Sequence, residues 1–179
     1  MTQETVLTPE EVMEAYDIAD ERMRACHQRA EEHGAVNKQV CDQEEPDVNF
    51  TGVAAELAFA KIYGLDTAQT KDTSTFDAGY DFLVQGKKVD VKGTQHPMEK
   101  PSLIINTENS TAPDVFALVQ LLTGERHDSK TDGGGMRCIL HGFLNQQSAM
   151  LEKNLKVANV EKGYDPCYMN ANERLVDFL

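Results

Sequence analysis

No stretch of this 179-residue chain approaches the ~18–20 consecutive apolar residues that a membrane-spanning helix requires. The first residues include acids where a secretory signal needs basic and then apolar side chains, so a cytoplasmic protein is expected. Cysteine is scarce. Cys26, Cys41, Cys138 and Cys167 form no CxxC pair and match no zinc spacing, so reduced thiols are expected. The glycine-rich Asp132–Gly135 segment lacks the Gly-Lys-Ser/Thr that a phosphate-binding loop needs. No internal repeat, long linker, helix-turn-helix or zinc finger is visible, so any sequence preference toward a nucleic acid would have to come from loops or partners.

Basic residues are also few. Seventeen Lys and Arg stand against 30 Asp and Glu, a net charge of −13, which argues against coating nucleic acid by bulk electrostatics. What is present is a globular composition, 40% hydrophobic and 26% charged, at a length that suits one domain. The acidity is uneven. Residues 1–50 hold 13 acids and 4 bases, whereas residues 51–179 hold 17 and 13. The chain therefore divides into an acidic N-terminal segment, residues 1–47, and a nearly neutral core, residues 48–179. The first packs on or extends the second.

Thr8-Pro9-Glu10-Glu11 opens a helix. Thr8 can cap it, Pro9 suits its first position, and Glu11 stands where a capping box needs an acid. Val12, Tyr16, Ala19, Met23, Cys26 and Ala30 then recur at steps of three or four, an apolar stripe on a helix of roughly 25 residues. Gly34 is a natural stop. Acids crowd its first half, and Arg22, Arg24 and Arg29 its second, as the helix dipole prefers. Its acidic face is a solvated surface or a site for a protein partner. Residues 35–48 are polar and read as a loop. A second helix, from about Val48 to Tyr63, is rich in small residues that permit close packing on a sheet, and Gly64 ends it.

Beyond Gly64 the apolar period changes to two. Strands are expected over 80–84, 87–92, 103–106, 114–122 and 137–144, with the almost wholly apolar 114–122 as a buried central strand. Residues 123–135 read as a polar loop, 145–156 as a weak helix, and 164–179 as mixed. The order implies an α/β or α+β fold.

The chemistry lies in the second and first of these strands. Gln85-Gly86 is a two-residue hairpin turn, so Val84 pairs with Lys87, Phe82 with Val89, and Asp81 with Asp90. Directly opposed residues share a face, with Cβ atoms about 4.5–5.5 Å apart. Two carboxylates there repel unless a cation lies between them, and hard divalent ions prefer carboxylate oxygen. Alternation brings Lys92 to the face of Asp90. An ammonium beside a metal site can orient water and offset charge developing on a phosphoryl oxygen. Exposed Asp and Lys on an acidic protein's strand are commonplace; the register is what distinguishes this set.

The three motifs together resemble the PD-(D/E)XK nuclease superfamily, with its restriction-endonuclease-like fold. They are the helix Gly52-Val-Ala-Ala-Glu56-Leu-Ala-Phe-Ala-Lys-Ile-Tyr, the strand Gly79-Tyr-Asp81-Phe-Leu-Val, and the strand Lys88-Val-Asp90-Val-Lys92-Gly-Thr. The likeness covers roughly residues 48–145 and includes later segments similar to phage and bacterial members. Tyr80 stands where the motif name has Pro, a mild departure. The resemblance implies a mixed β-sheet flanked by helices, here with an added acidic N-terminal helix. It implies that Asp81, Asp90 and the Val91 carbonyl bind Mg²⁺ or Mn²⁺, and that Glu56 reaches the metal through water or holds a second ion. Lys92 would position the attacking water and stabilise the pentacovalent transition state. The activity implied is hydrolysis of DNA phosphodiesters, in the cytoplasm, or a host's cytoplasm if phage-encoded. A homodimer would help so small an enzyme cut both strands.

Another reading makes the same fold a non-catalytic module of a phage or mobile element, binding a host protein and imitating the charge of DNA. Among lesser signals, Thr94 and Gln95 could contact a phosphate or simply fill a loop. Asp77 could border the site, and Asp114 could merely begin a strand. His96, His127 and His141 have no partner spacing. Lys61, Lys71, Lys87, Lys88 and Lys100 could form a local basic groove.

Overall fold

The computed structural model describes residues 2–33, 45–71, 79–106, 113–122, 135–157, 166–171 and 175–176. The expected stop at Gly34, Cys41, Asp77 and His127 lie outside the described residues, as do the side chains of Cys26 and Lys71. A five-stranded mixed sheet forms the centre. Its strands are β1 (Gln3–Leu7), β2 (Phe82–Val84), β3 (Lys87–Thr94), β5 (Val115–Leu122) and β6 (Met136–Asn145), in the order β1-β6-β5-β3-β2. β3 and β5 run parallel, and the other neighbours antiparallel. β4 (Leu103–Asn106), β7 (Leu155–Val157) and β8 (Pro166–Asn170) make a second, antiparallel sheet in the order β4-β8-β7. The fold class is mixed α/β. Among the described residues no helix is long and apolar enough to cross a membrane.

The first helix, α1 (Pro9–His33), starts as its sequence dictates. Glu11 N–H donates to Thr8 Oγ1 at 3.3 Å, and the Glu11 carboxylate takes the Thr8 N–H at 2.6 Å, the two halves of a capping box. Its apolar stripe, with Val12, Ala15 and Ala19 buried, packs on α2 (Glu45–Tyr63). Tyr16 stacks on Phe50 at 3.9 Å between ring centroids. α2 begins three residues before the expected Val48, with Pro46 in its first turn, where proline's missing N–H costs nothing. A domain boundary at 47/48 therefore cuts the first turn of this helix. Gly64 ends α2 with φ of 62°, and Leu65 N–H closes back on the Ala60 carbonyl at 2.9 Å.

The strand β1 was not expected from the sequence. It pairs with β6, Gln3 to Leu140 through Leu7 to Met136, and so carries the N-terminal segment into the main sheet. Alternation along the strands separates the sheet's two faces. Val89, Val91, Val115, Ala117, Val119, Leu121, Cys138 and Leu140 form one core with α2 and α1. Phe116, Leu118 and Leu144 form another with Leu103 and Ile105 of the small sheet. The weak helix expected over 145–156 resolves into α4 (Gln146–Ala149), capped by Asn145, a 3₁₀ turn over Glu152–Asn154, and β7. The buried Asn154 and Asn170 bond each other at 2.9 Å, and both donate to the Ala149 carbonyl, tying α4 to the small sheet.

Candidate metal centre on strand β3

The hairpin has the expected register: Val84 pairs with Lys87, Leu83 with Lys88, and Phe82 with Val89. Gln85 and Gly86 both have positive φ, 50° and 77°, as a type I′ turn requires. The ladder ends at Phe82, so the expected pairing of Asp81 with Asp90 is not part of it, and Asp81 closes the hairpin in a different way. Its N–H donates to the Val89 carbonyl at 2.9 Å, and its carboxylate accepts the Val91 N–H at 2.6 Å. Val89 and Val91 thus turn their backbone groups toward β2, while Lys88 turns its carbonyl toward β5, accepting the Asp114 N–H at 2.8 Å. The Val91 carbonyl consequently points past the end of β2, on the side of Asp81.

Asp90 and Lys92 occupy the other face of β3, paired in register with Phe116 and Leu118. Lys92 Nζ lies 2.9 Å from Asp90 Oδ1, with the Asp90 side chain only 10% exposed and that of Lys92 31%. Burial opposes the charged form of Lys92, but Asp90, Asp81 and Glu56 together hold its pKa above the ordinary lysine value. Asp81 shifts strongly upward. Burial comes first, then repulsion from Glu56 and Asp90, and the Val91 N–H and Lys92 only partly offset them.

Glu56 projects from α2 into the same field and is buried. Its two oxygens are taken by Arg22 of α1, each by one guanidinium nitrogen at 2.8 Å. Arg22 also donates to the Thr70 carbonyl at 2.7 Å, joining α1, α2 and α3 (Ala68–Lys71). The structure therefore brings Glu56, Asp81, Asp90, Val91 and Lys92 into one electrostatic neighbourhood and adds Arg22. Among the described residues no three His, Cys, Asp or Glu side chains converge into a cage for a metal ion. The oxygen donors on hand are the Asp81 and Asp90 carboxylates and the Val91 carbonyl, and these suit a hard cation.

In the sequence Arg22 stands out only as one of three bases in the second half of α1. Its position offered a signal, because it lies three residues after Ala19 and four after Ile18, beside the buried stripe. Gly93 does not stand out. A Cβ there would strike the Thr51 carbonyl, so glycine lets α2 approach β3 directly after Lys92.

The residues beyond the site are mostly structural. Gln95 donates to Thr51 Oγ1 at 2.7 Å, and Thr94 Oγ1 accepts the His96 N–H at 3.1 Å. Gln120 donates to the carbonyls of His96 and Met98, which leaves its oxygen to accept His141 Nε2–H at 2.8 Å. Burial lowers the His141 pKa. Asp114 accepts the Lys88 N–H at 2.9 Å and fixes the start of β5. Lys61 is held by Glu11 at 2.6 Å. Lys88 lies over the Tyr80 ring, 5.3 Å from its centroid. Comparison with family models, with curated proteins and with solved structures returned no match.

Proposed function

We propose that this chain is a metal-dependent nuclease of the restriction-endonuclease-like fold that hydrolyses DNA phosphodiesters. The observation that carries the reading is the hairpin register. It puts Asp81 at the end of β2 against the Asp90-Val91-Lys92 segment, with Lys92 on Asp90 at 2.9 Å. Two features support a cation between these groups. Burial first, and then repulsion from Glu56 and Asp90, drives the Asp81 pKa well upward, a cost that a cation would offset. The Val91 carbonyl faces the same edge, where no strand among the described residues pairs with it.

Asp81, Asp90 and the Val91 carbonyl would hold Mg²⁺ or Mn²⁺. When bound, the ion would supply Lewis-acid polarisation of the phosphoryl oxygen and acidify the attacking water. Lys92 keeps its proton, because Asp90 holds it in the charged form. Its ammonium orients water with one donor and faces the negative charge that grows on the phosphate with another. The Val89 and Val91 side chains, packed into the core beneath α2, keep the strand rigid while Asp90 and Lys92 act on its other face.

The test is cleavage of labelled single-stranded, double-stranded and branched DNA with Mg²⁺ or Mn²⁺, wild type against Lys92→Ala. Cutting by the wild type, reduced roughly 10²–10³-fold in a folded Lys92→Ala protein, is expected. Failure of the wild type to cut any of the three substrates would overturn the nuclease reading in favour of a binding module.

A further inference from the structure

We infer that Arg22 takes the place and charge of a second cation, so that the site is built for one divalent ion and Glu56 is a positioning residue rather than a ligand. This rests on the nuclease reading. It departs from the expectation that Glu56 reaches the metal through water or holds an ion of its own.

The first argument is geometric. The guanidinium grips both Glu56 oxygens at 2.8 Å, a bidentate fork that uses the in-plane lone pairs a metal ion would need. Arg22 is itself anchored. Its shared nitrogen donates to the Thr70 carbonyl at 2.7 Å, and Thr70 is only 1% exposed. Glu56 cannot swing to an ion without leaving this guanidinium, itself only 19% exposed, short of its partner, and the carboxylate it would move is 7% exposed.

The second argument is charge. In formal charge Glu56, Asp81 and Asp90 count three negatives against two positives from Arg22 and Lys92. With all five ionised, as cation binding requires of the carboxylates, the site has one excess negative charge. One divalent ion and one scissile phosphodiester bring it to neutrality. Two ions would leave two uncompensated positive charges among buried groups. Arg22 thus supplies from α1 the fixed charge that a second metal would otherwise bring. The N-terminal segment, with no counterpart in the three motifs, completes the site.

Mn²⁺ titration by calorimetry, with bound ion counted independently by electron paramagnetic resonance, tests this without reference to cleavage. The wild type is expected to bind one Mn²⁺. Glu56→Gln is expected to keep that one ion with at most about a 10–100-fold loss of affinity. Arg22→Gln frees Glu56 and is expected to bind a second Mn²⁺, with a rise in Tm on the second equivalent. If Arg22→Gln does not fold, Glu56→Gln and the double variant still decide the matter, since both should bind one ion. Two ions on the wild type, or loss of the ion in Glu56→Gln, would overturn the assignment of Arg22 while leaving a metal site. No ion on the wild type would overturn that assignment and the metal reading together.

Discussion

The two faces of the central sheet use the same strands in opposite ways. On the helix side, β3, β5 and β6 present Val89, Val91, Ala117, Val119, Cys138 and Leu140 to α2, and every one of these residues is buried and apolar. On the other side the same strands present Asp90, Lys92, Thr94, Gln120 and His141 next to Phe116, Leu118 and Leu144. One face stores stability, and the other holds polar groups whose repulsions the first must outweigh. A buried charge can be kept in a marginally stable protein only where the neighbouring packing is rigid enough to prevent its escape to water.

The comparison can be broken at several points. The largest effect belongs to Cys138 on the helix side. Burial pushes its thiol up to about 12, so at pH 8 native protein should be alkylated roughly a thousandfold more slowly than the unfolded chain on ionisation alone. The sign for stability follows: the unfolded thiol loses its proton first, so this contribution to stability falls as pH rises above the ordinary thiol value toward 12. Equal labelling rates in the two states would mean that the helix face opens readily.

Next is Phe59, fully buried against Tyr63, Phe82 and Phe143. Phe59→Ala should cost about 3–5 kcal/mol in urea unfolding. Asp90→Asn should cost less stability, because loss of its ion pair with the partly exposed Lys92 is offset by relief of Asp81 from a repelling neighbour, yet it should abolish Mn²⁺ binding. A large stability loss from Asp90→Asn would erase the distinction between the faces.

Gly93→Ala tests where the faces meet. The added Cβ meets the Thr51 carbonyl, so about 1–3 kcal/mol of destabilisation is expected by chemical denaturation. Thr8→Ala, at the remote start of α1, should cost about 1 kcal/mol by loss of the cap, with Mn²⁺ affinity unchanged.

The legible parts of the molecule were local. The capping box at Thr8, the end of α2 at Gly64, the Gln85-Gly86 turn and the placing of Asp81 against Val89 and Val91 all depend on residues within about ten positions of one another. Turn chemistry and strand alternation are enough to set them. The strand at Gln3–Leu7 was not legible, because a short edge strand has no helix-like period and is made by a partner that arrives more than a hundred residues later. The helix expected over 145–156 is present only as α4 and a 3₁₀ turn, and its end differs for a similar reason: Leu155 and Lys156 belong to β7, which exists because β8 lies alongside it.

The sequence by itself determined that Asp81 stands beside the strand that carries Asp90 and Lys92, because the hairpin turn and the strand period are local. Only the tertiary structure decided what surrounds them. Arg22 meets Glu56 across 34 residues, and that meeting depends on two helices crossing over one sheet. Periodicity can place each residue on a face of its own helix. Which face of another helix it then meets is set by packing, and the charge balance of the site is settled at that contact.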